Sequence, residues 1–336
     1  MCLFDLLIGR PLCCSYATGA VDIVSEVGDR AEVSDRDMIK RILLNPLARE
    51  VLKRKNIRIK DAPVFLMLLC WLRVSLRRIT YGLVTLALLL ISVPVGIWAC
   101  YKIDGFYYTF ASQRTNDGGG GKTVLQLTHE ANSPEGQIAK SAGMPVRIIP
   151  GATNDLKSCF YSALHHVVSI PHCIGNVVVN PINAQASKSE VAITALCMAF
   201  HEMGHAEQHK YVRIIDFFQL FAGVISFLGC VISLIPGAPA ILTLHFPHLI
   251  SCLLFLLTLR PILKFFCERD ASVRALANLV AYGHINTKEE ASCAVYVLQL
   301  AACTYLGGAC KSILGILKKL LSLFTSEISE HLCNFG

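Results

Sequence analysis

Apolar and polar positions divide this chain into blocks. Four long runs carry no charge: Gly82–Cys100, Phe217–Ile235, Ala238–Leu259 and Ala291–Cys310. Each is long enough, as a helix, to cross a hydrocarbon layer. Trp98 and Tyr101 close the first run as interfacial aromatics do, and its Pro94-Val95-Gly96 kink is tolerable there. Pro236-Gly237 links the second run tightly to the third. The pattern predicts a mostly α membrane protein with about four transmembrane helices. A shorter apolar stretch, Ala62–Leu72, is interrupted by Arg73, Arg77 and Arg78 and is expected at an interface. Residues 35–60 form a basic helical pattern, suited to a solvated face or to anionic headgroups.

Residues 102–186 are more polar and predict a small α+β region. Lys122–Ala131 and Ser133–Ala142 have helical character, and Val146–Ile149 suits a short strand. His165–Ile170 and Asn176–Asn180 alternate as strands, with Pro171–Gly175 as a hairpin loop between them. Later in the chain, Thr287 and Glu290 have capping-box spacing ahead of the last apolar run.

The chemistry sits in Phe200-His201-Glu202-Met203-Gly204-His205-Ala206-Glu207-Gln208-His209. One helical turn separates His201 from His205, so both imidazoles leave one helix face and can close on one Zn²⁺. Glu202 stands beside them, placed to take a proton from a zinc-activated water. Residues 187–200 lead in with helical character, and Ser187 or Ser189 can cap the helix. His209 lies two turns on, roughly 12 Å along the axis from His201, too far to share the ion on a straight helix. The third ligand must come from elsewhere. His165, His166 and His172 are expected as polar surface rather than ligands.

Composition supports the membrane expectation. The chain has 336 residues, 54% of them hydrophobic and 16% charged, with mean hydropathy +0.52. An ordinary soluble domain is about a quarter charged. The net charge of +7 is modest, and no aromatic and basic interleaving argues for nucleic acid. Most of the 15 cysteines lie in apolar segments and no C-x-x-C occurs, so a thiolate zinc site is not expected.

Two expected crossings separate the motif from residue 261, which would return the chain to the same side. Glu268 is then a candidate third ligand, with Asp270 competing. Glu268 opens the run Glu268-Arg269-Asp270-Ala271-Ser272-Val273-Arg274-Ala275-Leu276. With the H-E-x-G-H-A-x-Q-H motif before it, this segment resembles the YugP-type membrane-embedded zinc metallopeptidases, which are gluzincin-like. The resemblance covers about residues 81–325 and leaves residues 1–80 without a counterpart. It implies zinc bound by His201, His205 and Glu268, with Glu202 as the base. Related gluzincins carry Asp four residues after the ligand Glu, where this chain has Ser272. Tyr282 and His284, a few helical turns beyond Glu268, are candidates for a transition-state donor. It also gives the predicted hairpin a role: Val177, Val178, Val179 and Asn180 would take a peptide as an added strand.

The expected organisation is an N-terminal basic extension (1–60), an interfacial segment and first crossing (61–101), and a zincin-like catalytic domain (102–212). A transmembrane pair (213–260), a ligand helix (261–290), and a last crossing with its tail (291–336) follow. The expected function is membrane-bound zinc endopeptidase, acting on protein or peptide substrates, membrane proteins among them. The alternative is a catalytically inactive zinc-binding membrane scaffold or chaperone. The expected location is a bacterial inner membrane, multi-pass, with the lipid bilayer as a partner and no nucleic acid.

Overall fold

The computed structural model describes residues 12–28, 32–60, parts of 62–76, 121–133, 136–143, 146–151, 158–179, 188–217, parts of 220–224, and 263–303. Three helices open it: α1 (Cys14–Val27), α2 (Arg36–Leu44) and α3 (Pro46–Arg54). Asp35 caps α2 by accepting from the Asp37 N–H. Asn45 caps α3 by accepting from Leu47 and Ala48, and Pro46 stands in the first turn, where a missing N–H costs nothing. The Asn45 amide also donates to Tyr16 O at 3.0 Å, pinning α3 to α1.

Ile39, Ile42, Leu43, Leu47, Val51 and Leu52 are buried, while Lys40, Arg41, Lys53 and Lys55 are exposed. The basic stretch is thus two short amphipathic helices with a protein-covered face. It is not one helix wholly given to solvent or headgroups. Strands β1 (Glu32–Val33) and β2 (Arg58–Ile59) pair in parallel and close the unit.

A small α+β region follows. Strand β3 (Lys122–Thr123) leads into α4 (Val124–Ala131), which starts with a capping box between Thr123 and Gln126. After α5 (Gln137–Ala142) come β4 (Arg147–Gly151), β5 (Phe160–Ser162) and β6 (Val167–Pro171), in the sheet order β4-β6-β5. β4 and β6 run parallel, and β5 is an antiparallel edge.

The hairpin expected between His165–Ile170 and Asn176–Asn180 does not form. His172–Gly175 closes as one helical turn, α6, which carries the chain out of the sheet. β7 (Val178–Val179) then pairs with β3. The hairpin lies one strand earlier, between β5 and β6, and its turn holds His166 at φ +51°.

The motif lies on α7 (Glu190–Glu207), capped by Ser189, whose hydroxyl accepts from the Ala192 N–H. Helix α8 (209–217) continues from it, and α9 (263–281) and α10 (288–303) complete the described chain. The capping box at α10 is present: Glu290 N donates to Thr287 Oγ1 at 3.2 Å, and Thr287 N to Glu290 Oε2 at 3.4 Å. Glu290 Oε1 also accepts from Lys188 N at 3.0 Å, so one carboxylate ties the starts of α7 and α10 together.

The expectation of about four transmembrane helices is corrected here. Among the described residues no helix is long and apolar enough to cross a membrane. The expected location as a multi-pass integral membrane protein falls with it. Gly82–Cys100, most of Phe217–Ile235, and Ala238–Leu259 lie outside the described residues. The run Ala291–Cys310 is described as far as residue 303, and there its apolar character has another cause. Ala291, Ala294, Val295 and Leu298 are buried within the protein core. Gln299 donates to Leu12 O at 2.9 Å, which fastens α10 to the N-terminal unit. A helix buried in protein needs the same apolar residues as one buried in lipid.

α7 and α9 cross in close contact at Gly204. A Cβ built there would sit 2.5 Å from Ala271 O and 3.1 Å from Ala271 Cα, all backbone atoms that cannot rotate away. Gly204→Ala must therefore push the two helices apart. The expected loss is about 1–3 kcal/mol of stability, the usual range for an overpacked core, to be read from chemical denaturation.

Candidate metal centre

α7 projects His201 and His205 from one face, their rings edge to face at a centroid separation of 4.8 Å. α9, crossing at Gly204, brings Glu268 up to the same face. Glu268 Oε2 lies 3.0 Å from His201 Nε2 and 2.9 Å from His205 Nε2. Glu268 is fully buried, and each imidazole is nearly so. The three donor atoms lie within 4.8 Å of one another, a group able to hold one metal ion.

The fit to zinc follows from the donor set. Two imidazole nitrogens and one carboxylate oxygen are a usual zinc set that leaves a fourth position open. Bonds of about 2.0–2.1 Å in a tetrahedron separate ligand atoms by about 3.3 Å, so Glu268 Oε2 need draw back only slightly from each nitrogen. The second carboxylate oxygen, Oε1, faces Lys264 Nζ at 2.9 Å, one helical turn earlier on α9. That pairing leaves Oε2 as the ligand atom.

Each imidazole is also oriented from behind. Ser272 Oγ lies 3.1 Å from His201 Nδ1 and donates to Leu298 O at 3.2 Å. With its proton committed to that carbonyl, the hydroxyl accepts from His201 Nδ1–H. Ser272 thus orients the ring through a hydroxyl. On the other ring, Gln208 Oε1 lies 3.3 Å from His205 Nδ1. The Gln208 amide nitrogen is engaged by Asp270 Oδ2 at 2.5 Å and Cys267 O at 3.1 Å, so the oxygen faces the ring. With Nδ1 of each ring turned to an acceptor, Nε2 of each faces the site and, once its proton is displaced, offers its lone pair to a metal.

The remaining sequence candidates fall elsewhere. Asp270 is bound to Gln208 and to Arg274, and is not in the three-residue group. His209 and His166 both contact the Tyr161 hydroxyl through Nδ1, at 2.6 and 2.8 Å, so His209 takes no part in the centre. His165 and His172 are exposed. Tyr282 donates to Ala131 O at 3.2 Å. His284 packs edge-on against Phe200, and burial lowers its pKa to about 4. Val177 O accepts from Val124 N, Val178 and Val179 pair with β3, and Asn180 lies outside the described residues.

Burial works against a charged His205, but the Glu268 carboxylate and bonds to Cys267 and Glu268 outweigh it, raising its pKa to about 10. Glu268 is driven well below the usual carboxylate range: burial opposes its charge, but His205 and His201 hold it ionised. For Glu202 the balance reverses. Burial raises its pKa above that of an ordinary carboxylate, against the pull of His205 and His201. A half-buried carboxylate tuned upward is suited to exchanging a proton near neutral pH.

Two outcomes follow. Without metal, the raised pKa of His205 keeps a proton on that ring near pH 7, and zinc must displace it. Zinc binding should therefore release a proton, seen by titration calorimetry as a heat that depends on the buffer's ionisation enthalpy. Ser272→Ala removes the acceptor behind His201, and zinc affinity should fall roughly 10–100-fold, measured by chelator competition.

Comparisons with curated proteins and with solved structures each gave no match. A family model described as "Putative neutral zinc metallopeptidase" matches residues 182–324, a little under half of the chain. That stretch contains His201, Glu202, His205, Glu268 and Ser272. Over it the chain is similar to a zinc peptidase family, and the match supports zinc as the ion for the three-residue group.

Proposed function

We propose that this chain is a zinc-dependent endopeptidase that hydrolyses peptide bonds with Glu202 as general base. The observation that carries the proposal is the convergence of His201 Nε2, His205 Nε2 and Glu268 Oε2, with Glu202 adjoining His201 in sequence. The family match supports peptidase chemistry at the coarser level. The narrower YugP-type resemblance belongs to this proposal, without its membrane-embedded arrangement.

When bound, zinc would polarise a peptide carbonyl and acidify a water at the open position. The chain's own residues do the rest. Ser272 and Gln208 hold the imidazoles in one tautomer, and Lys264 holds the carboxylate in place. Glu202 takes the proton of the attacking water and passes it to the leaving amine. Substrate docking is proposed along Val177, Val178, Val179 and Asn180, by strand addition on the edge of β7 away from β3.

Glu202→Gln should leave zinc content at the wild-type level. It should lower the rate on a generic unfolded protein substrate by about 10²–10⁴-fold, the usual contribution of a general base. Glu268→Ala should lose both zinc and activity. Cleavage that persists in purified Glu202→Gln protein at the wild-type rate would overturn the mechanism.

A further inference from the structure

We propose that Arg54, in the N-terminal helical unit, is a positioning residue for the metal-binding ring of His205. The unit of α1–α3 is then a working part of the metal centre. The inference rests on the zinc reading above. Arg54 lies outside the stretch that the family model matches.

Arg54 is the exception on its basic stretch, because its side chain is only 5% exposed. Its guanidinium grips Glu207 with both arms, Nη1 to Oε1 at 3.1 Å and Nη2 to Oε2 at 3.2 Å. Nη1 also donates to Asn278 Oδ1 on α9, and Nε to Glu50 at 3.2 Å. Glu207 is the last residue of the motif helix, and its side chain is fully buried. It accepts from Asn278 Nδ2 at 2.6 Å and from Arg274 Nη1 at 3.3 Å.

From there a chain of hydrogen bonds leads to the ligand. Arg274 Nε donates to Asp270 Oδ2 at 2.8 Å. The same oxygen accepts from Gln208 Nε2 at 2.5 Å. Gln208 then presents Oε1 to His205 Nδ1. Which atom of the amide faces the ring decides the tautomer. An acceptor there puts the proton on Nδ1 and leaves Nε2 free for metal. If the amide turned over, Gln208 would offer a donor and the preference would reverse.

Arg274 and Asp270 are partly open to water, with side chains 30% and 51% exposed. The buried pair of Arg54 and Glu207 fixes one end of the chain, and Cys267 O, accepting from Gln208 Nε2 at 3.1 Å, steadies the other. A buried ion pair is poor evidence of stabilisation, since well-packed apolar residues often serve as well. Its fixed bidentate geometry suits orientation. A polar path at the end of the motif helix, rather than an apolar contact, is what positioning requires.

The test uses the full chain. Zinc dissociation constants come from chelator competition, and the visible spectrum of the cobalt-substituted protein reports ligand geometry. Arg54→Met should weaken zinc binding roughly threefold to tenfold, less than loss of a residue bonded directly to a ligand, and shift the cobalt bands. Arg54→Lys should recover part of both effects. Arg41→Ala, which breaks the exposed pair with Glu26 in the same unit, should change neither.

Asp270→Ala removes the oxygen that both Arg274 and Gln208 bond, at an exposed position, and serves if Arg54→Met folds poorly. It too should weaken zinc and move the cobalt bands. Wild-type zinc affinity and an unchanged cobalt spectrum in Asp270→Ala, or in folded Arg54→Met, would overturn the positioning role and leave the zinc reading standing. Failure of the wild-type protein to bind zinc would instead overturn the zinc reading itself.

Discussion

The close crossing of α7 and α9 is the constraint on which the rest depends. Glycine at 204 removes the side chain at the contact, and Ala271 opposite keeps its own small. Only at that separation can a carboxylate one turn before Ala271 reach imidazoles on either side of Gly204. Ser272, next to Ala271, then meets His201 from behind. Ligand, spacer and orienting hydroxyl are thus consecutive features of one helix, set against the matching features of another. The letters between the ligands are the packing surface that makes them ligands.

The crossing also assembles charge in a place that resists it. Glu268 and Glu207 both have side chains at 0% exposure. Burying an uncompensated carboxylate is costly, and each is compensated by a different device. Glu268 faces two imidazoles and Lys264, so its charge is answered locally and a metal ion can answer it better. Glu207 faces Arg54, Arg274 and Asn278, so its charge is neutralised permanently. One carboxylate is poised for a ligand and the other is locked. The environments differ although both border the same helix crossing.

The N-terminal helices belong to this arrangement rather than preceding it. Gln299 reaches Leu12, Arg54 reaches Glu207, and Lys288 pairs with Asp22 at 3.1 Å. Of these the Arg54 contact is the most demanding, because removing one partner of a buried pair typically costs about 3–5 kcal/mol. The unit therefore covers the far end of the motif helix and the outer face of α10. Apolar residues in α10 that suit a bilayer crossing are used against protein instead.

Whatever depends on spacing along one helix was legible in the residues alone. The i, i+4 histidines, the Ser189 cap, and the Thr287–Glu290 capping box are local, and the structure has them where the spacing put them. Glu268 was legible as a candidate because its run accompanies the motif, although 67 residues separate it from His201. Tertiary structure alone decided the partners. Arg54 and Glu207 are 153 residues apart, and nothing local distinguishes this arginine from its solvated neighbours. Ser272 and Gln208 became orienting residues only when the helices crossed. The strand pairing of β7 turned on one helical turn at His172–Gly175, which no alternation of polar and apolar residues foretells. For the described part of the last apolar run, periodicity showed that a helix wanted burial but not in what. Water exclusion by lipid and by protein places the same demand on side chains, and only the packed neighbours tell them apart.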